Sequence, residues 1–95
     1  MKAIIGGVRY NTETAVELAN DRYWDGSNFE RHGRNTHLYR GKSGRYFAYH
    51  TTQWQGERCT IEALDEDQAR ELYENLPEHE VEFEEAFPTA TVEEA

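Results

Sequence analysis

Asn35-Thr36-His37-Leu38-Tyr39-Arg40-Gly41-Lys42-Ser43-Gly44-Arg45-Tyr46-Phe47-Ala48-Tyr49-His50-Thr51 is the stretch whose reading decides the fold. Two runs rich in aromatic and β-branched residues flank a turn bounded by glycines, the pattern of a β-hairpin. Taken as a four-residue turn, Gly41-Lys42-Ser43-Gly44 pairs Leu38 with Phe47 on one face and Tyr39 with Tyr46 on the other. Working outward, Trp54-Gln55-Gly56 makes a second turn into Arg58–Leu64, where Cys59, Ile61 and Ala63 alternate with polar neighbours. The three strands form an antiparallel meander.

Beyond the meander, Asp65 stands three residues before Gln68, the spacing of a capping box, and Glu66 and Asp67 add carboxylates to the first turn. Ala69, Leu72, Tyr73 and Leu76 fall on one face of the helix this starts, and Pro77 ends it. Glu78 to Phe87 reads as a second short helix, turning Val81 and Phe83 or Phe87 inward and stopping at Pro88. Upstream, Lys2-Ala3-Ile4-Ile5 and Val8-Arg9-Tyr10 around Gly6-Gly7 predict an opening hairpin. Asn11 or Thr12 is placed to cap a helix running to about Asn20, with Ala15, Leu18 and Ala19 at helical spacing. Asp21 to Gly33 is polar and irregular and reads as a long loop whose Tyr23, Trp24 and Phe29 fold back on the core. The expectation is an α+β domain over residues 1–87, ordered ββαβββαα, with the C-terminal helices packed on one face of an antiparallel sheet. Residues 88–95 form an acidic disordered tail, and no internal repeat is visible.

A chain of 95 residues fits one domain. No apolar run is long enough for a bilayer or a secretion signal, so the expected compartment is the cytoplasm. The single cysteine, Cys59, excludes an intrachain disulfide. Two Trp, six Tyr and four Phe make the core aromatic and leave polar ring edges available at the surface. The net charge of −9 is unevenly divided. Residues 1–56 hold eight Lys and Arg against five Asp and Glu, a balance of +3, whereas residues 57–95 hold two against fourteen, a balance of −12. Such asymmetry steers encounters with charged partners, and a polyanionic surface repels nucleic acid while attracting basic proteins.

The chain resembles a family of short proteins carried by phages and integrating elements of bacteria. The resemblance lies in Ile4-Ile5-Gly6-Gly7-Val8-Arg9-Tyr10-Asn11-Thr12-Glu13-Thr14-Ala15, Leu38-Tyr39-Arg40, Gly44-Arg45-Tyr46-Phe47, the helix start Leu64 to Ala69, and Glu84-Glu85-Ala86-Phe87. It implies a mobile-element origin. Small acidic proteins of that origin include inhibitors of host defence, anti-CRISPR proteins among them, and by that analogy this chain is expected to block a nucleic-acid-binding site of a host nuclease complex.

The residues expected to meet such a partner are Asp67, Glu71, Glu74, Glu78, Glu80 and Glu82, with Trp24, Trp54 and Tyr73 as aromatic anchors. Carboxylates a turn apart on a helix have a spacing comparable to that of successive phosphates along a nucleic-acid strand, and so offer a basic groove an imitation of its usual ligand. The plainer reading of the same run is a solvated face that keeps the protein soluble. A second constellation, Arg31, Arg34, Arg40, Lys42, Arg45 and Arg58 interleaved with Tyr39, Tyr46, Tyr49 and Trp54, suits a small nucleic-acid-binding module instead. Its plainer reading is arginines paired with the acidic helices or stacked on the aromatics. His32, His37, His50 and Cys59 lack metal-ligand spacing, Asp65-Glu66-Asp67 lacks the rest of a calcium loop, and Ser27, Ser43 and Cys59 lack a nucleophile's motif. The expectation is therefore a protein that binds another protein with a basic surface, without catalysis, metal or cofactor.

Overall fold

In the computed structural model the described residues are 1–21, 34–53 and 56–90. They form an α+β fold in which a two-stranded sheet and a five-stranded antiparallel sheet are accompanied by short helices. The strands are β1 (Lys2–Ile5), β2 (Val8–Asn11), β3 (Val16–Asn20), β4 (Arg34–Arg40), β5 (Tyr46–Thr52), β6 (Thr60–Leu64) and β7 (Glu78–His79). The helices are α1 (Glu66–Asn75) and α2 (Phe83–Ala86). β1 and β2 make the expected hairpin, with Gly6 and Gly7 both at positive φ as a two-residue turn demands. The larger sheet is ordered β6-β5-β4-β3-β7, so the meander stands at its centre and one side.

The turn between β4 and β5 is one residue longer than expected. The Gly41 N–H donates to the Arg45 carbonyl at 2.8 Å, the Gly44 N–H to the Gly41 carbonyl at 3.0 Å, and Gly44 takes φ 89°. Arg45 thus belongs to the loop, and the register pairs Leu38 with Ala48, Tyr39 with Phe47 and Arg40 with Tyr46. Because side chains alternate, a slip of one residue moves Phe47 to the face opposite Leu38. Both faces of the sheet are consequently covered. On one, Leu18, Ala19, Leu38 and Tyr46 pack with Ala69, Tyr73 and Leu76 of α1 and its cap and with Ala86 and Phe87. On the other, Phe47 is fully buried between Tyr39, stacked at 5.3 Å, and Tyr10 of the hairpin, edge-on at 5.3 Å.

The helix expected from Asn11 or Thr12 to Asn20 is instead a turn and strand β3. The Asn11 side chain accepts from the Glu13 N–H at 2.9 Å and its carbonyl from the Thr14 N–H at 3.3 Å, closing a turn without starting a helix. β3 then pairs with β4 through a bulge between Glu17 and Ala19. The bulge lets the adjacent Leu18 and Ala19 both join the core, which is why the sequence imitated helical spacing. The helix expected over Glu78–Phe87 is also corrected: its first part is the edge strand β7, paired with Ala19 and Asn20, and only Phe83–Ala86 is helical. Pro88 to Ala90, expected in the tail, continue the packed chain, with Ala90 against the core and the Thr89 hydroxyl donating to Glu66 at 3.2 Å. Among the described residues, no helix is long and apolar enough to cross a membrane.

Candidate protein-binding surface

Helix α1 forms as its sequence dictates. The Asp65 carboxylate accepts from the Gln68 N–H at 2.8 Å, and the Gln68 side chain accepts from the Asp65 N–H at 3.0 Å. Leu76 closes the helix in extended conformation ahead of Pro77. Ala69, Tyr73 and Leu76 are buried and Leu72 is half-buried, so Asp67, Glu71 and Glu74 stand on the exposed side at successive turns. The chain then passes into β7, whose alternation divides the remaining carboxylates. His79 turns back onto α1, where its ring stacks on Tyr73 at 3.9 Å and its Nε2 bonds the Tyr73 carbonyl at 2.7 Å. Glu80 lies on the Asn20 side, accepting from Asn20 Nδ2 at 3.0 Å. Glu78 is half-buried opposite Asn20, and Glu82 is exposed at the start of α2. The six carboxylates therefore form an acidic belt that wraps the β7 edge, rather than one flat face.

Among the described residues, no Lys or Arg lies within 4.0 Å of the carboxylates of Asp67, Glu71, Glu74, Glu78, Glu80 or Glu82. Two of the arginines that the sequence offered as partners, Arg40 and Arg34, are engaged elsewhere. Arg40 donates to the carbonyls of Glu85 and Ala86 at 2.9 and 3.2 Å, capping α2. Arg34 forks onto Glu57, with Nε at 3.0 Å from Oε1 and Nη2 on Oε2, and the Thr52 hydroxyl adds a bond at 2.6 Å. These bonds hold the Glu57 carboxyl below its ordinary value. Arg70 lies over the Phe83 ring at 5.8 Å.

Tyr73, expected as an aromatic anchor at the surface, is instead part of the core. It is only 5% exposed, its hydroxyl donates to the Val81 carbonyl at 2.7 Å, and its ring meets Phe83 and Phe87 edge-on. Burial, reinforced by the charges of Glu82 and Glu84, pushes that hydroxyl above the ordinary tyrosine value. A residue on the inner stripe of α1 belongs to the core, whatever its polarity. Trp24 and Trp54 lie outside the described residues, as do Arg31 and His32. Among the described residues the large apolar side chains that are exposed are Met1, Ile4, Ile5 and Val16; Ile4, Ile5 and Val16 read in the sequence as hairpin or helix positions.

Of the histidines, His37 is buried with Nδ1 at 2.8 Å from Glu17, and His50 bonds Glu62 at 3.0 Å and Thr36 at 3.3 Å. The two belong to opposite faces, since His37 pairs with Tyr49 and His50 with Thr36. Among the described residues no three His, Cys, Asp or Glu gather as a metal site would require. The Tyr49 hydroxyl is pushed up by burial and by its neighbour Cys59. Comparisons of the chain with protein-family models, with curated proteins and with solved structures return no match.

Proposed function

We propose that this chain is an acidic, protein-binding inhibitor carried by a mobile element, an anti-CRISPR or related anti-defence protein that acts by charge mimicry and not by catalysis. Its partner is a host nuclease complex with a basic nucleic-acid channel, and the acidic belt of Asp67, Glu71, Glu74, Glu78, Glu80 and Glu82 occupies that channel. The observation that carries this reading is the lack of cationic partners for the belt among the described residues. Arg34 and Arg40 stand at the two ends of β4 and are committed to Glu57 and to backbone carbonyls. Exposed carboxylates at successive turns of a capped helix present fixed negative charge at a spacing a phosphate-binding groove accepts, and their field draws a basic surface in.

The test uses purified RNA-guided nuclease complexes and their labelled target DNA. Excess chain is expected to abolish target binding by the susceptible complex, with the inhibition weakening as salt rises. The chain mixed alone with the same DNA at physiological salt gives no retarded band, because the net charge opposes a polyanion. Target binding unchanged by excess chain in every complex contradicts the proposal. A tight, salt-sensitive band with the chain alone would favour a nucleic-acid-binding module instead.

A further inference from the structure

The belt accounts for the acidic half of the chain and leaves the surplus cations of the first half unexplained. Arg40 and Arg34 are committed, but Arg9, Lys42 and Arg45 are exposed and have no carboxylate within 4.0 Å among the described residues. They converge. A cleft of about 250 Å³ lies between β2 and the β4–β5 turn, and its lining includes Arg9, Asn11, Thr14, Lys42, Ser43 and Arg45, with no carboxylate among its lining residues. The extra residue in the turn matters here. With Gly41 and Gly44 carrying the internal hydrogen bonds, the N–H groups of Lys42 and Ser43 donate to no acceptor among the described residues. The tip of the turn therefore joins unspent backbone donors to three cations and the hydroxyls of Ser43 and Thr14. A larger cleft on the other side of the same turn, about 580 Å³, includes Glu66 in its wall and is less suited to an anion.

We infer that the cleft between β2 and the β4–β5 turn is a binding site for a single phosphate group, free or carried on a small molecule such as a nucleotide. Backbone N–H groups in a turn and charge-assisted bonds from arginine are the donors that phosphate oxygens select. A long strand is a poor ligand, because its remaining phosphates meet a molecule of net charge −9, whereas one group seated in the cleft is screened from charges beyond about 8 Å at physiological salt. The inference does not depend on the acidic belt, and either can fail alone.

Titration of the isotope-labelled chain with inorganic phosphate and with a 5′-mononucleotide, followed by amide chemical shifts, tests it. The expected result is a saturable shift confined to Arg9, Asn11 and residues 42–45, in excess of that given by sodium chloride at equal ionic strength. Lys42→Gln/Arg45→Gln should weaken it by about tenfold or more, with the remaining amides unmoved as evidence of an intact fold. Equal affinity for the two ligands marks free phosphate as sufficient, and a tighter mononucleotide marks the carried group. Shifts no larger than those of chloride, or shifts that survive in the double variant, overturn the site. Tighter binding of a strand of about 20 nucleotides than of the mononucleotide at about 150 mM salt overturns the assignment to a single group.

Discussion

At the scale of single residues, the buried hydroxyl of Tyr46 shows how polar atoms are shared in the aromatic core. It donates to the Ala86 carbonyl at 3.0 Å, and the same oxygen accepts from Arg40. Burial, together with the charge of Glu66 and against that of Arg40, pushes this hydroxyl up, so it stays a donor at neutral pH. Tyr46→Phe removes one donor and leaves the carbonyl satisfied, and urea unfolding is expected to show a loss of about 1 kcal/mol. Adding Arg40→Met strips the carbonyl of both donors, and the double variant should lose more than the sum of the two singles. Glu57 provides the pH-dependent counterpart. Its carboxyl is held below the ordinary 4.5 by bonds from Arg34 and Thr52, so the stability it contributes is complete above 4.5 and is lost as pH falls through the lower folded value. Denaturation curves of wild type and Glu57→Gln should differ at neutral pH and converge under acid conditions. A difference that persists at low pH would remove the ion pair as its cause.

The elements differ in how much of their local structure the sequence declares. Helix α1 was legible because everything that defines it is local: the Asp65–Gln68 box, the inner stripe and Pro77 all occur where they were read. Asp65→Ala should cost about 1 kcal/mol by thermal or urea unfolding, and an unchanged midpoint would show that packing alone holds the helix start. The hairpin and meander were legible from turn glycines and β-branched or aromatic runs, whereas the register was not. One residue, Arg45, separates a four-residue turn from the one formed, and the turn formed places Phe47 on the face of Tyr10 and Tyr39. Strand β3 was hidden by its bulge, which puts Leu18 and Ala19 into the core together. The start of Glu78–Phe87 was readable in retrospect: Glu78, Glu80 and Glu82 alternate with His79, Val81 and Phe83 at a strand's period. In the candidate surface, the exposure of Asp67, Glu71 and Glu74 followed directly from helical periodicity. The burial of Tyr73 followed from the same stripe, and its hydroxyl is satisfied there by the Val81 carbonyl.

For the molecule as a whole, the sequence divides charge between two halves, and the fold turns that division into two surfaces of different kinds. The acidic belt runs along the outer side of α1 and around the β7 edge, and three exposed cations, Arg9, Lys42 and Arg45, gather at the β4–β5 turn beside the hairpin. Uncompensated like charge opposes compaction, so a belt without counter-ions among the described residues carries a cost that a basic partner would offset. The most direct measurement of that claim is the association rate of the chain with the nuclease complex proposed as its partner, followed across a salt series for the wild type and for Asp67→Lys/Glu71→Lys/Glu74→Lys. All three positions are exposed, so each substitution should alter stability by roughly half a kcal/mol. Circular dichroism of the variant should match that of the wild type. The account predicts that the wild-type rate falls steeply as salt rises and that the triple reversal associates at least about tenfold more slowly at low salt, with little salt dependence left. Association of the triple reversal at the wild-type rate, with the same salt dependence, would contradict the account and leave the belt as a solvated surface.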